Sequence, residues 1–226
     1  MSDVTADKSI LIFGASRGIG LGLAREFAGR GWRVVATERS QSDALRALGG
    51  VEVVTADVTN PASHEALARG DETYDIVLVN AGIQGASHQS ADRATAEEVA
   101  EVMMTNAFGP IRAGRALLPK LKEGGTLAFM STLMGSIADS SGGFELYRSS
   151  KAALNILAKG LSEQDARRHG IAVRALHPGW VQTDMGGPNA TLTVDESVAG
   201  LADVLEEAPG GPGFRFLDYT GKDLPF

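Results

Sequence analysis

A chain of 226 residues with a net charge of −7 and no cysteine is long enough for one domain with a sizeable core, and it excludes disulfides and thiolate metal sites. The acidic balance argues against a nucleic-acid partner: no Lys/Arg stripe tracks a phosphate backbone, and Arg167-Arg168 falls at an expected helix end, where cations oppose the dipole favourably. The longest apolar stretches are far shorter than the roughly 20 residues that span a bilayer, and residues 1–9 are polar, so a soluble, unexported, cytoplasmic protein with no membrane partner is expected.

Residues 9–13, Ser-Ile-Leu-Ile-Phe, form an unbroken apolar run, the pattern of a parallel strand buried on both faces. Gly14-Ala15-Ser16-Arg17-Gly18-Ile19-Gly20 follows and leads into Leu21, Leu23, Ala24 and Phe27, which suits a strand, a glycine turn and an amphipathic helix. Glycine belongs there because a side chain would keep the backbone from a pyrophosphate, whose charge then meets the N–H groups at the helix N-terminus. The spacing, G-x-x-x-G-x-G, departs from the commonest dinucleotide fingerprint, so an ordinary glycine-rich turn is the alternative. Residues 32–37 read as a second strand whose end should meet an adenosine ribose. There Glu38 suits a 2′-hydroxyl and Arg39 a 2′-phosphate; Arg17 adds a second cation, which favours NADP(H), with NAD(H) as the alternative and a solvated loop as the bland reading.

Residues 51–54 form a third strand running into Asp57 and Val58. Asp57 either bonds an adenine amino group or caps the helix that begins after Asn60-Pro61. Residues 76–79 are the most apolar strand and lead into Asn80-Ala81-Gly82, small enough for a ribose to approach the backbone. A long helical region is expected over 94–121, with Val99, Val102, Met103, Ala107 and Ile111 on its apolar stripe. Asn106 lies mid-helix and either satisfies local backbone or anchors a water chain; Pro110 cannot donate to its carbonyl, which leaves that oxygen for another partner.

Residues 126–130 are a fifth strand with Ser131 and Thr132 at its carboxyl end, the edge where open parallel sheets bind ligands, although Ser and Thr are also ordinary turn formers. A loop over 135–145 delivers the chain to Tyr147-Arg148-Ser149-Ser150-Lys151, which opens a helix carrying Leu154, Ile156, Leu157 and Leu161. At i, i+4 spacing the Lys151 ammonium can lie beside the Tyr147 phenol and favour its ionised form, making Tyr147 a candidate proton donor or acceptor; a buried Tyr beside a snorkelling Lys explains the pair equally well. Residues 171–176 are a sixth strand, followed by His177-Pro178-Gly179-Trp180-Val181-Gln182-Thr183. His177 is held extended before a proline and is not expected to catalyse. Residues 184–194 have the composition of a flexible lid, 194–207 a last helix, and 214–217 a seventh strand. Met134, Ile137, Phe144, Trp180 and Met185 fall on segments expected around a cleft and suggest an apolar substrate, unless they are core.

Strand–helix alternation with right-handed crossovers gives an α/β, doubly wound parallel sheet. The glycine turn, Asn80-Ala81-Gly82, Asn106, Ser131-Thr132, Tyr147/Lys151 and Pro178-Gly179 stand in an order that resembles the short-chain dehydrogenase/reductase family, and Gly135-Ser136-Ile137 with the stretches 147–155 and 177–187 resembles its C-signal and Sniffer-like carbonyl reductase branch. The resemblance implies a Rossmann fold of about seven strands, a single domain over 1–226, and hydride transfer between a nicotinamide and a carbonyl or secondary alcohol. It makes Tyr147 the general acid/base, with Lys151 lowering its pKa and holding the nicotinamide ribose, and Asn106 supporting a relay water through its main chain. The family's catalytic serine falls on Thr132, with Ser131 before it, so both are candidates. It maps Gly14, Arg17, Ile19, Asp57, Val58, Asn80, Ala81, Gly82, Pro178, Val181 and Thr183 onto cofactor-contacting positions, and the full candidate set adds Ser16, Gly18, Gly20, Glu38, Arg39, Tyr147, Lys151 and Gly179. No metal is expected, a homodimer or tetramer is, and a nucleotide-binding signalling protein with little catalysis is the rival.

Overall fold

Runs that are apolar at every position can be buried only between two layers, and this chain's strands are laid down that way. In a computed structural model describing residues 8–207 and 211–226, β1 (Ser9–Phe13), β2 (Arg33–Glu38), β3 (Val51–Thr55), β4 (Tyr74–Val79), β5 (Leu121–Met130), β6 (Ala172–His177) and β7 (Gly213–Asp218) form one parallel sheet ordered β3-β2-β1-β4-β5-β6-β7. Residues 1–7, most of the polar N-terminal stretch read above, lie outside the described residues.

Alternation along each strand sends side chains to opposite layers. Ile10 and Ile12 pack with α1 (Gly18–Gly29) through Leu23 and Phe27, and with α7 (Val194–Glu207) through Leu201 and Leu205. Leu11 and Phe13 face the other layer, where Ile111, Leu117, Leu154 and Leu161 meet Val77, Val79 and Phe129. Two short helices follow the outer strands: α2 (Asp43–Arg46), capped by the Ser42 hydroxyl, and α3 (Pro61–Ala68), capped by the Asn60 side chain with Pro61 in its first turn.

The helix expected over 94–121 is two. α4 (Ala96–Met103) starts on a capping box between Thr95 and Glu98. It widens into a π turn at Met104–Phe108, where the Gly109 amide bonds the Met104 carbonyl, and then continues as α5 (Gly109–Leu117). Pro110 is the physical reason: with no N–H, it cannot close the regular ladder onto Asn106. The end also moves, because Leu121 already pairs with Tyr74 in the sheet, so β5 begins earlier than expected. In α6 (Glu145–Leu161), Leu154 and Leu161 are buried, whereas Ile156 is 72% exposed. The Arg167-Arg168 pair is structural, bridging to Glu163 and Asp165. Among the described residues, no helix is long and apolar enough to cross a membrane.

α5 lies close on the sheet because Gly114 has no side chain. A Cβ there would sit 2.6 Å from Phe129 Cζ, which is itself fully buried. Gly114→Ala should therefore destabilise by about 1–3 kcal/mol through overpacking, read as a lower denaturant midpoint with unchanged slope.

Candidate active site

The strand order reverses between β1 and β4, so the chain leaves their carboxyl ends in opposite directions and opens a crevice. The crevice is a cavity of about 1040 Å³, at the upper end of the roughly 300–1,000 Å³ usual for small-molecule sites. Its walls are the turn after β1, the ends of β4 and β5, the first turns of α6 and the segment after β6.

The glycine turn is built by close backbone approach. Gly14 has φ +92 and a Cβ there would lie 2.8 Å from the Ala81 amide nitrogen. Asn80 Nδ2 donates to Gly14 O at 2.7 Å, and Thr37 Oγ1 accepts the Gly14 N–H at 2.9 Å. Gly14, Ser16, Arg17, Gly18 and Ile19 line the cavity; Gly20 does not, because it sits behind the turn, where a Cβ would overlap Gly14 O and lie 2.6 Å from Asn80 Nδ2. Asn80, Ala81 and Gly82 line it as expected, and so do Asp57 and Val58. Burial pushes the Asp57 carboxyl up, but bonds from the Thr59 amide and hydroxyl and the nearby Arg39 charge outweigh it, so the group lies below its usual value. The helix cap offered as its alternative role falls to Asn60.

Glu38 and Arg39 part company. Glu38 is 1% exposed, bonded to Arg46 Nε at 2.8 Å and to the Ser42 amide at 2.7 Å, and it does not line the cavity. The Arg46 guanidinium holds its carboxyl below the usual range, so this carboxylate is already neutralised and is not placed to meet a ribose. Arg39 faces the crevice. With Ser16, Arg17, Ser40, Gln41 and Ser42 it also lines a side pocket of about 330 Å³. Arg17 reaches Asp184 across the mouth at 2.6 Å, both side chains being well exposed, an ion pair worth about 0–1 kcal/mol.

At the other end, Ser131, Thr132, Tyr147 and Lys151 all line the cavity. Lys151 Nζ donates to the Met130 carbonyl at 2.8 Å and lies 5.9 Å from the Tyr147 ring centroid. Burial governs both titrations: it brings the lysine down to about 8 and pushes the phenol up to about 12. Removal from water penalises the phenolate and the ammonium alike, so each group is moved toward its neutral form. Ser131 donates to Asn155 Oδ1 at 2.6 Å, both buried. Thr132 Oγ1 accepts the Met134 amide at 3.3 Å and, among the described residues, donates to nothing.

Asn106 does not line the cavity. Fully buried, its Oδ1 accepts the Ile83 amide at 2.8 Å, while Nδ2 donates to Ile83 O at 2.7 Å and to Ser150 Oγ at 3.0 Å. It clamps the cavity wall at Ile83. His177 lines the cavity, but burial lowers it to about 4, so it is neutral and a poor acid. Pro178, Gly179, Val181 and Thr183 line the far wall. The stretch read as a flexible lid is cross-tied: Gln182 N donates to Leu192 O at 2.8 Å, and Trp180 Nε1 to Gly186 O at 2.9 Å. Met134, Phe144, Trp180 and Met185 line the cavity, whereas Ile137 points to solvent, 80% exposed. Gln89, Asn155, Asp184 and Arg148 were not singled out as site residues. Of these, Arg148 alone carried a local signal, its place beside Tyr147.

The sequence profile of short chain dehydrogenases matches residues 8–191. C-signal of Myxococcus xanthus is 41% identical over 155 residues, covering 67% of this chain and 92% of that protein. A short-chain dehydrogenase/reductase from Burkholderia multivorans, solved with bound NADP, is 37% identical, superposes with a TM-score of 0.92 and covers 97% of this chain and 99% of that one. A carbonyl reductase from Pseudomonas aeruginosa PAO1, solved with NADP, is 41% identical, with a TM-score of 0.89 and the same coverage.

A lysine titrating near 8 when folded and near 10.5 when unfolded releases its proton earlier in the native state. Unfolding then takes up a proton between those values, so this group adds stability as pH rises from 8 to 10.5, up to about 3 kcal/mol, and its burial penalty is fully present below 8. Denaturant titrations of wild type and Lys151→Met at pH 7 and 10 should show this gain in the wild type only. A parallel rise in both proteins would remove Lys151 as its source.

Proposed function

Since this chain belongs to the short-chain dehydrogenase/reductase family and is an oxidoreductase acting between alcohol and carbonyl groups, we propose that it reduces an apolar carbonyl compound with NADPH. The observation that carries the proposal is the cavity's two ends: a pocket with guanidinium groups at one, and Thr132, Tyr147 and Lys151 at the other.

The residues fit a dinucleotide. Gly14, Ser16, Gly18 and Ile19 line the cavity beside the α1 N-terminus, where phosphate charge is favoured. The side pocket at Arg39 suits a 2′-phosphate, and the carboxylate that would favour a free ribose hydroxyl is tied to Arg46. When bound, the nicotinamide supplies the hydride. Tyr147 holds its proton at neutral pH, as a donor in reduction must, and hands it to the substrate oxygen. Thr132 polarises that oxygen, because its hydrogen is uncommitted while that of Ser131 is held by Asn155. Lys151 orients the ribose, and the main chain of Asn106 carries the relay water. Met134, Phe144, Trp180 and Met185 make the substrate side apolar. Val99, Phe108 and Ile156 are exposed apolar side chains on the helices through which a homo-oligomer would pair, and the cysteine-free chain suits a reducing cytoplasm.

Turnover of NADPH against aldehydes, ketones and quinones tests the reaction. Tyr147→Phe should lower kcat by about 10² to 10⁴-fold with NADPH affinity unchanged; binding without turnover on the whole panel would instead favour a signalling role. Arg39→Ala should weaken NADPH by about 10- to 100-fold, the loss of a charged hydrogen bond, and leave NADH binding unchanged. Equal effects on both dinucleotides would refute the 2′-phosphate assignment.

A further inference from the structure

α6 starts without a cap of its own. Phe144 stands in the N-cap position with φ 47 and ψ 42 and makes no side-chain hydrogen bond to the helix, so the amides of its first turn need acceptors from elsewhere. Gln89, on the segment after β4, supplies them: its backbone carbonyl accepts the Glu145 N–H at 3.0 Å and its Oε1 accepts the Tyr147 N–H at 3.0 Å. The other half of the same amide, Nε2, donates to Gln84 O at 2.8 Å and Ala86 O at 2.6 Å. Glu145 answers by accepting the Ala91 N–H at 2.6 Å. Gln89 is 6% exposed and has φ 53; with Phe144 it completes the non-glycine residues of positive φ among those described. Both left-handed residues therefore meet at the start of the helix that carries the phenol.

We infer that Gln89 is a positioning residue for Tyr147, capping the first turn of α6 from the segment after β4 and tying it to the cavity wall at Gln84. The inference rests on Tyr147 being the proton donor. Tyr147 lies in the turn that frays when its amides lose their acceptors, whereas Lys151 lies one turn deeper, anchored to Met130 O. Loss of the cap therefore moves the phenol and spares the lysine, and a general folding defect would not separate the two in this way.

Gln89→Met keeps the volume and removes the acceptor. It should lower kcat by about 10²-fold, the penalty of misplacing a reacting group by about 1 Å, while the NADPH dissociation constant stays at the wild-type value. Gln89→Glu keeps an acceptor for the Tyr147 N–H but puts an oxygen in place of Nε2, facing the Gln84 and Ala86 carbonyls, and should not recover the loss. Amide hydrogen exchange reads the cap without turnover: Tyr147 N–H should be protected in wild type and exposed in Gln89→Met. Free exchange at Tyr147 in the wild type overturns the cap even if neither variant folds. Wild-type kcat in Gln89→Met, or parallel loss of NADPH binding and turnover, overturns the positioning role. If the wild type reduces no carbonyl, the catalytic half goes with the proposed function and exchange alone still decides whether Gln89 caps the helix.

Discussion

The molecule depends on how closely two backbones pass at the carboxyl ends of β1 and β4. Gly14 and Ala81 come so near that no side chain fits on the first, and Asn80 pins the approach through the Gly14 carbonyl. That contact fixes the angle at which the glycine turn enters α1 and so aims the helix N-terminus into the crevice. From there the other wall follows: Gly82 lies against both the Asn106 carboxamide and the Lys151 ammonium, where even a methyl group would stand 3.3 Å from each. The floor of the cavity is thus assembled from atoms that touch only because glycines let them.

Burial in the cavity wall sets the electrostatics of the two groups. Lys151 and Tyr147 are moved in opposite directions, each toward its neutral form, since burial penalises whichever form is charged. The site therefore rests with a protonated phenol beside a lysine that titrates near the working range, an arrangement ready to give a proton rather than to take one. At the rim the balance differs. Arg17 and Asp184 are exposed, and water weakens their attraction, so the pair can open for a larger anion at little expense.

Much of this was legible in the sequence because strands buried on both faces, glycine turns and the Tyr147/Lys151 spacing are local patterns. Glu38 shows the limit. Its position at a strand end was readable, but the face it turns to depends on Arg46, which only the folded α2 brings near. Ile156 is an apolar residue of α6 that the fold leaves in solvent, because it stands two residues from Leu154, on the opposite face of a helix whose buried side runs through Leu154, Ala158 and Leu161. Pro110 was legible as a disturbance, and its result, a π turn that presents Asn106 to Ile83, was not. Gln89 gave no sign of its part in α6, since the amides it caps lie more than fifty residues further along the chain.

Backbone strain gives a last reason to look at the start of α6. A non-glycine residue in a sparsely populated region costs of order 1–3 kcal/mol and persists only where its surroundings hold it. Here Phe144 and Gln89 are held by the bonds they set up: the turn at Phe144 points the Glu145 and Tyr147 amides at Gln89, and the turn at Gln89 points its carbonyl and carboxamide back. The strain is thus concentrated in the one turn whose side chain must be placed to within an ångström, while the helix beyond it runs regular to Leu161.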